Sequence, residues 1–206
     1  MGIHYRTELV HLVDIRCFLL PAGQSRVIES REEIVRTLMD RPEVEYLDGR
    51  PYPKMSPKAT HSFVQGAFIR LFYEKGAGIG KCLPELHSRV GTVDSTKTLF
   101  VPDVAFILNT RWNAWPREEL EEPPFAPDIV VEVRSPGENG KFRRKKIARY
   151  LSTGAQIVFD VDPRTRTIYV HDSTGTHALA RGDRFSDTRF PWLTFDVAEV
   201  FADLDA

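Results

Sequence analysis

A chain of 206 residues with 28 Lys plus Arg against 29 Asp plus Glu carries a formal net charge of −1. Its surface as a whole is therefore no nucleic-acid coat, and any polyanion contact must come from a local basic patch. The length suits one domain with a single buried core. No apolar run approaches the ~20 residues of a membrane span. The only cysteines, Cys17 and Cys82, form no CxxC and stand near no paired histidines, which argues against zinc and for buried, inert thiols in a reducing compartment. The apolar stretch Cys17–Leu20, flanked by charged residues, is too short for a secretory signal. The expectation is a cytoplasmic protein.

In chain order, residues 1–29 are weakly patterned and are taken as an N-terminal extension, with one domain over 30–206. Ser30-Arg31-Glu32-Glu33 has the form of a capping box, and Ile34, Val35, Leu38 and Met39 continue it as a helical stripe that Pro42 stops. Val44–Leu47 followed by Asp48-Gly49 predicts a strand entering a tight turn, with a short return strand broken by Pro51 and Pro53. A helix from about Thr60 to Lys75 follows from the spacing of Phe63, Val64, Ala67, Phe68, Leu71 and Phe72, and Gly76 and Gly78 end it. Strands are expected over Leu83–Val90 and Leu99–Leu108, then a polar, proline-rich connection over Asn109–Pro127. That connection carries Trp112 and Trp115, which pack over the sheet or present a partner-binding loop.

Ile129-Val130-Val131-Glu132-Val133 has the composition of a central strand covered on both faces. Lys141–Leu151 forms a further helix, closed by Gly154. Strands near 156–161, 165–171 and 176–180 follow, turned at Asp162-Pro163 and Ser173-Thr174-Gly175, and the amphipathic tail Phe195–Leu204 adds a helical turn or two. Mixed strands and helices with a late antiparallel meander indicate an α/β fold with a mixed sheet.

Glu132 interrupts an otherwise apolar strand, and Asp103 interrupts the apolar run Phe100–Ile107. A buried carboxylate without a partner costs several kcal/mol, so such a group is paired, protonated or metal-bound. Should the two strands be neighbours, side-chain alternation allows both acids onto one side of the sheet. Such a pair suits Mg²⁺, which takes one or two carboxylates and keeps several waters. The structural alternative is an ion pair of Glu132 with Arg134 or with a lysine of the following helix. In that helix, Ile147 and Leu151 define the buried face, Tyr150 lies beside them and Lys146 lies on its flank, within reach of the acids. Lys141, Arg143, Arg144 and Lys145 supply a local phosphate-attracting patch, while Lys145 and Arg149 point towards solvent.

Pro102-Asp103, Glu132-Val133-Arg134-Ser135-Pro136 and Lys146-x-x-x-Tyr150 resemble the PD-(D/E)XK nuclease superfamily, and more closely its Uma-two branch. Glu45–Gly49, Met55-Ser56-Pro57 with His61, Gly154 before a strand ending Val161-Asp162-Pro163, and Phe195–Phe201 also match. The resemblance covers roughly residues 30–202. It implies a restriction-endonuclease-like mixed sheet flanked by helices, and a metal-dependent endonuclease acting on DNA. Asp103, Glu132 and the Val133 carbonyl would hold Mg²⁺ or Mn²⁺, with Lys146 and Glu45 as further catalytic groups and His61, Arg134 and Tyr150 in support. It also implies a homodimer, since cutting two strands calls for two sites. Two positions depart from the pattern: Arg134 stands where the superfamily carries a lysine, and Phe142 where relatives often carry Asp. Arg cannot serve as a general base, so the lysine role passes to Lys146. The competing expectation is a catalytically inactive nucleic-acid-binding or oligomeric module that keeps the fold.

Overall fold

The computed structural model describes residues 44–54, 57–90 and 98–205. The helix expected after Ser30, the N-terminal extension with Cys17, and Met55-Ser56 lie outside these residues.

Val44–Leu47 (β1) and Arg50–Pro53 (β2) form the expected hairpin. Asp48 and Gly49 at its turn both have positive φ, at 51° and 74°, which is the conformation an Asp-Gly pair tolerates. The helix α1, Ala59–Lys75, buries His61, Val64, Ala67, Phe68, Leu71 and Phe72 along one stripe.

The two long strands expected next are each broken in two. Gly80–Pro84 (β3) and Ser88–Arg89 (β4) are separated at Glu85, whose φ is 51°. Leu99–Phe100 (β5) and Val104–Leu108 (β6) are separated at Val101–Asp103, where Pro102 has no N–H to give to a ladder. Each break moves the chain between sheets. β4 and β5 join the hairpin in a four-stranded sheet of order β2-β1-β5-β4, with the proline-bearing β2 at its edge. β3 and β6 join a larger sheet, so Asp103 sits at the bend between the two.

A helical turn at Asn109–Trp112 (α2) and a 3₁₀ turn at Arg117–Leu120 occupy the polar connection. Ile129–Val133 (β7) then runs buried at all five positions. Gly140–Ser152 (α3) follows, and its N-cap Asn139 accepts hydrogen bonds from the Lys141 and Phe142 amides. Ile157–Asp162 (β8) returns parallel to β7, and Thr167–Asp172 (β9) and Gly175–Leu179 (β10) complete the meander. The six-stranded order is β10-β9-β8-β7-β6-β3, parallel only at the β7–β8 pair. A small ladder of Arg184–Phe185 (β11) and Phe195–Asp196 (β12) leads into Val197–Phe201 (α4), opened by a capping box of Asp196 and Glu199, and a 3₁₀ turn at Ala202–Leu204.

The sheet is covered on both sides. Ile129, Val131 and Val133 pack with α1 and with Phe195, Val197, Val200 and Phe201 of the tail. Val130 and Val158 pack on the other face with Phe142, Ile147 and Tyr150 of α3. Trp112 packs on a third cluster over the sheet with Ile107, Leu120 and Phe125, whereas Trp115 is 40% exposed and its ring lies 5.4 Å from that of Phe125. Cys82 is buried and free, and burial pushes its thiol up to about 11. Among the described residues no helix is long and apolar enough to cross a membrane.

Candidate active site

β6 and β7 pair antiparallel with Val104 opposite Val131. One step further along that register, Asp103 faces Glu132, so the two acids are cross-strand neighbours. Asp103 Oδ2 accepts from the Val133 amide at 2.7 Å and from His61 Nε2 at 3.0 Å, and Oδ1 lies 3.1 Å from Lys54 Nζ. Burial alone would raise this carboxyl, but the His61 hydrogen bond and the Lys54 ammonium hold it down at about 2. The backbone group that touches Asp103 is thus the Val133 amide, on the same residue as the carbonyl expected to face a metal.

Glu132 occupies the α3 side of β7, alternating with Val130. Its carboxylate accepts from Lys146 Nζ at 2.7 Å and from the Tyr150 hydroxyl at 2.9 Å. The same ammonium lies 2.6 Å from Glu45 Oε1, which also accepts from the Val101 amide at 2.8 Å. Lys146 is thus a buried bridge between β1 and β7, not a flanking side chain, and the spacing of four that sets Tyr150 beside it brings both to one carboxylate. Burial pulls the ammonium down, and Glu132 and Glu45 more than offset this, so it stays charged. Burial pushes Glu132 up to about 8, against the pull of Lys146 and with the push of Asp103 and Glu45.

Three groups at this site had no sequence signal of their own. Lys54, just past β2, pairs with both Asp103 and Glu85 and donates to the Val101 carbonyl at 2.8 Å. Gln65 of α1 donates to Glu85 at 2.7 Å and to the Asp103 carbonyl at 2.9 Å. Lys54 and Glu85 lie at a proline-broken strand end and at a strand break, where periodicity is silent. Across the cluster four carboxyls (Glu45, Glu85, Asp103, Glu132) meet two ammoniums (Lys54, Lys146).

Asp103, Glu132, Glu45, Lys54 and His61 line a cleft of about 290 Å³, whose far wall is the loop after β7 with Ser135, Glu138 and Asn139. Among the described residues no three His, Cys, Asp or Glu side chains are grouped to hold a metal by themselves. The donor set therefore does not fit zinc, which wants at least three protein ligands. It does fit a hard cation that keeps most of its water and takes two carboxylates.

Arg134 turns away from this cleft. It forms bidentate bonds of 2.9 and 2.7 Å to Asp160, reaches Asp162 at 3.3 Å and stacks 4.4 Å from the Tyr169 ring centroid. Arg143 is likewise committed, to Glu138 at 2.8 Å and Asp160 at 3.3 Å, so it is not the free phosphate contact the sequence suggested. Arg149 points outward as expected and bonds the exposed Asp48 at 2.7 Å. Lys141, Arg144 and Lys145 are exposed as expected.

The chain is similar to a solved structure described as a putative nuclease belonging to DUF820 from Anabaena variabilis. The TM-score is 0.67 at 23% identity, covering 83% of this chain and 96% of that one, so the likeness is one of fold. No curated protein matches the chain. A family model described as "Putative restriction endonuclease" matches residues 31–198, which takes in both strand acids, α1 and α3. On that match the chain belongs to the Uma-two family, the restriction-endonuclease-like group its motifs resemble.

Proposed function

We propose that this protein is a metal-dependent endonuclease that hydrolyses DNA phosphodiester bonds. The observation that carries this reading is a pair of cross-strand acids, Asp103 and Glu132, opening on one cleft inside a buried cluster where carboxyls outnumber ammoniums. One Mg²⁺ or Mn²⁺ held by these two carboxylates and the Val133 carbonyl would offset that surplus, lower the pKa of a bound water and polarise the scissile phosphate. His61 and the Val133 amide orient Asp103. Lys146, Tyr150 and Glu45 fix the position of Glu132 and its charge from behind. Lys54 lines the cleft itself, so it is the ammonium placed to stabilise charge on the phosphoryl oxygens. Lys141, Arg144 and Lys145 attract the DNA backbone, and a homodimer would supply one site per strand.

A second reading, a non-catalytic module of the same fold, draws on the fact that both acids already have protein partners. Plasmid cleavage in Mg²⁺ or Mn²⁺ separates the two. Wild type is expected to nick and linearise DNA, and Asp103→Ala and Glu132→Ala to lose that activity. Equal background nicking in all three proteins would leave the non-catalytic module.

A further inference from the structure

Beside the catalytic cleft lies a second pocket of about 140 Å³, and His61 lines both. In the cleft His61 spends its Nε2 on Asp103. Its other nitrogen, Nδ1, is buried and has no hydrogen-bond partner among the described residues, and His61 itself is only 7% exposed. The pocket mouth carries the N-terminal turn of α1. That helix has 17 residues, no capping side chain on Lys58 and no acid in its first turn, so its amides and dipole meet an incoming anion unopposed. Lys58 and Arg164 stand at the rim. Arg164 is held only by contacts of 3.3 and 3.4 Å to Asp162, with its side chain 73% exposed. Arg134 contributes wall alone, since Asp160 and Asp162 engage its guanidinium. The rings of Pro136 and Pro163 form the apolar part of the wall, beside Thr60 and Ser135.

Two cations, the free first-turn amides, two proline rings and a shared histidine around one pocket match a sugar–phosphate unit. We infer that this pocket binds the nucleotide backbone next to the scissile position. Lys58, Arg164 and the first turn of α1 take the neighbouring phosphate, and Pro136 and Pro163 take its deoxyribose. The identity of the ligand as DNA rests on the nuclease reading, whereas the anion site rests on the pocket alone.

The test is a ¹H–¹⁵N NMR titration of the full chain with inorganic phosphate and, separately, with 2-deoxyribose 5-phosphate, alongside the plasmid assay. Saturable shifts are expected at the amides of Thr60 and His61, which have no partner within the helix. Binding of the sugar phosphate should be about threefold tighter than that of phosphate, from the apolar contact. The double substitution Lys58→Ala/Arg164→Ala, at two exposed positions, should keep a folded spectrum and weaken both ligands by about tenfold. Absence of shifts at these amides, or shifts that survive the double substitution unchanged, would overturn the anion site. Equal affinity for the two ligands would overturn the assignment of the proline wall to the sugar. A wild type that binds phosphate here yet cuts no plasmid sinks the nuclease reading and leaves the anion site standing. A wild type that cuts plasmid without these shifts sinks the subsite alone.

Discussion

Lys146→Met tests the buried charge bridge behind the site. Methionine keeps most of the aliphatic stem, so the substitution removes the ammonium and little of the packing. Lys146 Nζ lies 2.6 Å from Glu45 Oε1 and 2.7 Å from Glu132, and its side chain is 4% exposed. Without it Glu45 keeps only the Val101 amide, and Glu132 only the Tyr150 hydroxyl. Two acids then remain in a dry environment with no cation between them. Breaking such a pair from one side costs about 3–5 kcal/mol, a large share of the roughly 5–15 kcal/mol that holds a domain folded. Guanidinium denaturation at pH 7, followed by tryptophan fluorescence, measures the cost. Adding Glu45→Gln should recover part of it, because the second substitution removes one of the two acids left without a cation. A loss below about 1 kcal/mol, the range of exposed ion pairs, would refute the buried bridge, as would a double variant no more stable than the single one.

Tyr150→Phe deletes the 2.9 Å hydrogen bond to Glu132 and is expected to lower stability by about 1–3 kcal/mol in the same assay. Arg134→Met should cost about 1–3 kcal/mol at pH 7 by removing two hydrogen bonds from the buried Asp160. Burial alone would raise Asp160, but the Arg134 bond, with help from His171 and Arg143, holds it well below the ordinary carboxylate range. A lowered folded pKa contributes stability above the unfolded value, and that contribution is lost as pH falls through the folded one. The difference in melting temperature between wild type and Arg134→Met should therefore be widest near neutrality and narrow below about pH 4. Gly80→Ala would place a Cβ 2.4 Å from both the Ile107 carbonyl and the Phe106 ring. The β3–β6 ladder holds that carbonyl in place, so thermal denaturation should show a loss of about 1–3 kcal/mol.

Much of the architecture was legible in the sequence because it rests on local periodicity. The stripe on α1, the hairpin at Asp48-Gly49 and the buried run of β7 are set by neighbours within a few residues. The two strand acids stood out for the same reason, each being a charge in an apolar run. What periodicity could not show is where a strand changes sheets. Leu83–Val90 and Leu99–Leu108 look continuous, yet they break at Glu85 and at Pro102-Asp103 because each half pairs with a different sheet.

Those breaks bring Lys54, Glu85 and Gln65 to Asp103 across sequence separations that no local pattern records. Partner choice was equally hidden. The Lys146–Glu132 contact was within reach of the sequence, but nothing in the order of residues says that Arg134 is drawn to Asp160 and Asp162 on the next strand, or that Lys146 also meets Glu45. Sequence alone determined that two carboxylates would be buried, since a charge within an apolar run has nowhere else to go. Only the tertiary structure decided which cations meet them, because a buried charge is satisfied by whatever the fold brings within hydrogen-bonding distance, whatever its place in the chain.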